Sequence, residues 1–67
     1  MRDVHYPEVE VDFNNIDGNA FSILGVVSRA MRSASVPTDK IEEFKVEATS
    51  GDYNHLLQTC MKWVTIK

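Results

Sequence analysis

A chain of 67 residues, 43% hydrophobic and 25% charged, has the make-up of one globular domain. A domain this short buries only about 60% of the surface its unfolded chain exposes. Its single cysteine, Cys60, excludes a disulfide, so self-association is the expected route to a larger core. The net charge of -3 and scattered Lys and Arg residues exclude a phosphate-tracking stripe, and no apolar run approaches the ~20 residues that span a bilayer.

Met1–Pro7 lacks the apolar core of a signal peptide and reads as a flexible arm carrying His5, on a cytoplasmic protein. Glu8–Phe13 then alternates acidic and apolar residues, which predicts a strand with Val9, Val11 and Phe13 on a core. Glu8, Glu10 and Asp12 share its other face. Paired carboxylates can do acid–base chemistry when one is desolvated, but on an exposed edge they keep a strand soluble and discourage strand addition. Asn14–Asn19 is a turn cluster. Asp17-Gly18-Asn19 opens like a calcium loop, without the spacing or the terminal Glu of one.

Asn19 or Asp17 caps a first helix bearing Phe21, Ile23, Leu24, Val26, Val27, Ala30 and Met31. Phe21, Leu24, Val27 and Met31 make a core stripe, and Ile23 and Val26 widen it beyond what one core needs. Two readings account for that width: a second face for a partner chain, or a central helix covered by its own domain. Gly25 costs this helix about 1 kcal/mol relative to Ala unless something packs closely there. Arg29 and Arg32, at i and i+3, suit a phosphate or the carboxylates of a second helix.

Val36-Pro37 ends that region. Thr38 is the expected cap of a second helix, with Asp39 in its first turn, an apolar stripe of Ile41, Phe44 and Ala48, and Glu42, Glu43, Lys45 and Glu47 towards water. Gly51 reads as its stop and Asp52 as the cap of a third helix carrying Leu56, Leu57, Cys60 and Met61. Trp63–Lys67 returns to period two, with Val64 and Ile66 on one face of a strand expected to pair with Val9–Phe13. The predicted fold class is α+β: a small β-α-α-α-β domain with three helices packed on a two-stranded sheet.

The chemistry available is sparse. Tyr53, Asn54 and His55 fill the first turn of the third helix, where free N–H groups and the dipole favour an anion. With Arg29 and Arg32 they form the expected ligand site, Tyr53 adding a ring for base stacking; the carboxylate of Asp52 opposes an anion there. His55 reads equally as a corner hydrogen bond. Cys60 has no base beside it and reads as a buried thiol. No Cys/His cluster forms a metal site, and no cofactor is expected.

Asp17-Gly18-Asn19-Ala20-Phe21, Gly25, Gly51-Asp52-Tyr53, His55-Leu56-Leu57, Thr59 and Trp63-Val64 together resemble a type of small protein encoded in bacteriophage and bacterial genomes. The resemblance covers most of the chain after Phe13. It implies an accessory protein acting inside a bacterial host cell, and it carries no catalytic residue over to this chain. The functional expectation is a non-enzymatic homo-oligomer that sequesters a small anionic ligand, such as a nucleotide, or blocks a host protein. The alternative is a pure protein-interaction module, with Ile23, Val26 and Trp63 as interface residues. The third is an acid–base enzyme pairing His55 with a carboxylate between subunits.

Overall fold

In the computed structural model, which describes residues 4–14 and 16–67, the alternating segment forms β1 (Tyr6–Val11) and the chain returns to it as β2 (Val64–Ile66). Helices α1 (Ala20–Ser33), α2 (Thr38–Ala48) and α3 (Tyr53–Trp63) lie between them. This is the expected α+β order. The strands pair within the chain and run parallel, an arrangement that requires a long crossover connection, here the three helices. β1 starts at Tyr6 rather than Glu8 and stops at Val11, leaving Phe13 half-buried beyond it. Of the expected flexible arm, Met1–Asp3 lie outside the described residues, as does Asn15 of the turn cluster. His5 instead donates its backbone N–H to the Lys62 carbonyl at 3.1 Å.

The ladder sets Tyr6 opposite Val64, then Glu10 opposite Thr65 and Val11 opposite Ile66, with an irregularity between Tyr6 and Glu10. Pro7 lies in that stretch and has no N–H to give. The Thr65 hydroxyl donates to its carbonyl at 2.8 Å. Beyond the ladder, the Lys67 N–H donates to the Val11 carbonyl and its ammonium pairs with Glu10, each at 2.8 Å.

Val9, Val11 and Val64 line the core face of the sheet, and the helices cover it with Ile23, Val27 and Met31, then Ile41, Phe44 and Ala48, then Leu56, Cys60 and Trp63. The core side of α1 differs from expectation: Phe21 is 88% exposed and Leu24 half-buried, while Ile23 is buried. At about 100° per residue, Val26, Ala30, Ile23, Val27, Met31 and Leu24 span about 160° of the helix, and Phe21 lies about 60° beyond. Centring that arc on the core turns Phe21 out. The surplus apolar edge of α1 is therefore Phe21 with Leu24, not Ile23 with Val26.

The caps account for the helix boundaries. Asn19 Oδ1 accepts the Ser22 N–H at 2.8 Å, and the Asp17 carboxylate holds Asn19 through Nδ2 at 3.0 Å. α1 ends in a Schellman motif: Val36 N–H donates to Met31 O and Ser35 N–H to Arg32 O, each at 3.0 Å, with buried Val36 near buried Met31 in the chain. Its left-handed position is Ser35, at φ 66, where glycine is favoured. Thr38 is not the cap of α2 but its first residue; Pro37 occupies the cap position without a side-chain hydrogen bond. Pro37 suits that boundary because its missing N–H needs no partner there. Asp52 does cap α3, accepting the His55 N–H at 2.9 Å. Gly51 is not the terminator of α2, which stops at Ala48. A Cβ on Gly51 would lie 2.8 Å from Cγ and 2.9 Å from Cβ of His55, so the corner needs its bareness.

Three substitutions separate these roles in urea unfolding. Ser35→Gly relieves the left-handed backbone and is expected to stabilise by about 1 kcal/mol. Gly25→Ala, where a Cβ meets nothing within 4 Å, is expected to stabilise by about 0.5–1 kcal/mol. Gly51→Ala is expected to destabilise by about 1–3 kcal/mol, because His55 must move away from it.

Candidate functional site

The α2–α3 corner is filled by the chain's own groups. The carbonyl of Glu47 accepts a hydrogen bond from His55 Nε2 at 2.8 Å, so that nitrogen carries a proton. Ser50 Oγ donates to the same carbonyl at 2.7 Å. These bonds satisfy a carbonyl at the C-terminus of α2, where the dipole also favours a ring N–H. The Tyr53 hydroxyl donates to the Gly18 carbonyl and ties the loop before α1 to the corner. Asp52 takes one of the first N–H groups of α3, and Asn54 is exposed to solvent. The corner thus engages Tyr53 and His55 in the fold, apart from Arg29 and Arg32.

Those two arginines lie with Lys45 around a cleft between α1 and α2, of about 360 Å³, also bordered by Phe21, Leu24, Gly25 and Ser28. The short Ala34–Pro37 connection makes the two helices neighbours and brings Lys45 to the flank of α1. Among the described residues neither Arg29 nor Arg32 forms an ion pair, and Lys45 meets Glu42 at 3.4 Å. That pair is solvent-exposed and worth only ~0–1 kcal/mol, so Lys45 exchanges partners readily. Ser28 is 7% exposed, and its Oγ has no hydrogen-bond partner. Buried polar atoms are rarely left so, and each such case asks for an explanation. Beside it, Gly25 leaves open space above the helix backbone.

A second groove, of about 240 Å³, adjoins the cleft through Phe21 and Leu24 and continues over Ala48, Tyr53 and Leu56. Its lining is aromatic and aliphatic apart from Thr49, Gly51 and the Asp52 carboxylate, and the three cations lie around the cleft that shares Phe21 and Leu24 with it. Tyr53 joins this surface by its ring, while Asn54 and His55 lie outside both grooves. Lys45 and Ser28 escape a sequence reading because the two helix faces meet only in the folded chain. The i, i+4, i+8 relation of Phe21, Gly25 and Arg29 was the available signal for the α1 side.

The residues expected at an interface are placed differently from one another. Ile23 and Trp63 lie in the chain's own core and offer a partner almost no area, whereas Val26 is half-buried. Trp63 packs edge-on against Phe44 with centroids 5.8 Å apart and beside the ring of His5 at 4.5 Å. Its indole N–H donates to Glu47 Oε1 at 3.2 Å, and Lys62 Nζ donates to Glu47 Oε2 at 2.7 Å. The Lys62 hydrogen bond outweighs partial burial and, with the Trp63 N–H, holds the Glu47 carboxyl below its usual range. Burial pushes the Cys60 thiol up to about 11, so at neutral pH it is a protonated core group. His55 meets a carbonyl and hydroxyls rather than a carboxylate. Among the described residues no group of three His, Cys, Asp or Glu is placed to hold a metal, and no helix is long and apolar enough to cross a membrane.

No family model, curated protein or solved structure matches the chain.

Glu47→Gln is expected to cost about 1 kcal/mol at neutral pH, from a weakened charged hydrogen bond and ion pair. Because the folded carboxyl titrates below the ordinary 4.5, its contribution is present above that value and is lost as the pH falls through the folded one. Unfolding free energies measured from neutral pH to below 4 should fall for the wild type and converge on those of the Gln variant.

Proposed function

We propose that this protein binds rather than catalyses, and that its ligand is a small anion with an aromatic or apolar half, of the nucleotide class, seated across the α1–α2 cleft. The observation that carries this reading is that Phe21 and Leu24 border both grooves, with Arg29, Arg32 and Lys45 around one of them. Guanidinium groups hold phosphate oxygens through paired hydrogen bonds, and Lys45 adds a point charge. The Ser28 hydroxyl has no partner and is closed to solvent, so it meets an anion only by rotating toward the cleft it borders. Phe21 provides a solvent-exposed face on which a base stacks without disturbing the core.

The volume fits. Ligand sites commonly fall within about 300–1,000 Å³, and the cleft of about 360 Å³ lies in that range before the adjoining groove is included. The surface is shallow, so the affinity is modest and falls with added salt. Sequestration of a host nucleotide by an accessory protein is consistent with the resemblance to small phage and bacterial proteins.

Binding is read by heteronuclear NMR, titrating adenosine monophosphate and, separately, inorganic phosphate at low ionic strength. Shifts are expected at Phe21, Ser28, Arg29 and Arg32 with the nucleotide, and at the last three with phosphate. Arg29→Ala with Arg32→Ala should weaken nucleotide binding at least about tenfold, since each charged hydrogen bond contributes about 1.5–3 kcal/mol. Phe21→Ala should weaken nucleotide but not phosphate binding, and Asn54→Ala neither. Unchanged nucleotide affinity in the double-arginine variant, or shifts confined to the α2–α3 corner, sinks the assignment.

A further inference from the structure

We infer that a second copy of this chain docks the acidic outer face of its α2 onto the cationic flank of α1, head to tail, and competes with the ligand for the cleft. The competition rests on the proposed ligand site; the docking does not.

The acidic face lies opposite the buried stripe of Ile41, Phe44 and Ala48. At its centre Val46 is 71% exposed, and it shares a shallow groove with Asp39, Glu42 and Glu43. Glu43 pairs with Lys40 at 3.3 Å and Glu42 with Lys45 at 3.4 Å, on exposed side chains. Such surface pairs contribute little, so both carboxylates exchange partners at small cost. The flank of α1 presents the converse arrangement, an exposed Phe21 beside Arg29 and Arg32. An apolar anchor among carboxylates thus faces an aromatic anchor among guanidiniums, which pair with carboxylates through parallel hydrogen bonds. The two faces belong to different helices of the same chain. Docked head to tail, each copy uses one face for each neighbour, and successive copies close a ring or continue as a chain.

Two variants, each spoiling one face, test the docking. Arg29→Ala with Arg32→Ala removes the α1 flank; Glu43→Lys with Val46→Ser removes the α2 face. All four positions are solvent-facing, and circular dichroism confirms that both variants fold. In sedimentation velocity at submillimolar concentration and low salt, the wild type is expected to run above its monomer mass of 7.6 kDa. Each variant alone is expected to be monomeric. Their equimolar mixture should give a dimer and nothing larger, because one intact flank and one intact acidic face remain. A monomeric wild type, variants that still associate alone, or a mixture that stays monomeric overturns the docking.

Adenosine monophosphate then separates the two readings. It should bind the monomeric Glu43→Lys, Val46→Ser variant more tightly than the wild type, whose cleft a second copy contests, and it should dissolve the mixed dimer. A dimer that persists at nucleotide saturation overturns the competition. No nucleotide binding by that variant overturns the ligand assignment while a mixed dimer still supports the docking.

Discussion

Glu47 is the residue on which the rest of the molecule converges. Its side chain takes the indole N–H of Trp63 and the ammonium of Lys62. Its backbone carbonyl takes the ring of His55 and the hydroxyl of Ser50. One residue thus fixes both ends of α3 against the last turn of α2. Trp63 in turn carries the rings of His5, Tyr6 and Phe44 around it. The start of β1 is therefore held through an aromatic cluster whose orientation a single carboxylate sets. In a partly buried setting such hydrogen bonds gain strength from the lower local dielectric, and the same setting makes their loss costly.

The cations divide between two settings. Lys62 and Lys67 pair with Glu47 and Glu10 near the sheet, and Lys40 pairs with Glu43 on α2. Arg29 and Arg32 project from α1, where Phe21 also stands exposed. An acidic protein thereby carries one local concentration of positive charge beside its most exposed aromatic ring. Net charge describes the long-range field, whereas recognition at a few ångströms depends on this local arrangement.

Signals contained within a few residues were legible in the sequence. The alternation of β1, the i, i+3 and i+7 stripe of α2 and the Asp52 cap are set by local geometry, and each occurs where its pattern predicts an element. Signals that need a second element were not. The arc of α1 is broad enough to be centred in two ways, and only the sheet beneath it decides that Phe21 faces out. Ser35 hides a left-handed turn because its residue type gives no sign of one. Glu47 looks like any solvent-facing Glu until Trp63 arrives from another helix. Likewise, Arg29 and Arg32 were visible as a pair, but Lys45 and Ser28 complete their surroundings only when α2 lies alongside α1.

The parallel pairing has a consequence for synthesis. Thr65 donates to the carbonyl of Pro7 across a separation of 58 residues, so β1 is made long before the strand that completes it. Local helices form quickly, whereas closing so long a loop is slow and entropically unfavourable. During that interval the nascent strand exposes unpaired backbone groups that strands of neighbouring chains can join. Glu8, Glu10 and Asp12 place repulsive charge along this waiting edge. The acidic row is then a guard for the unfinished molecule, serving before β2 exists to take its place beside β1.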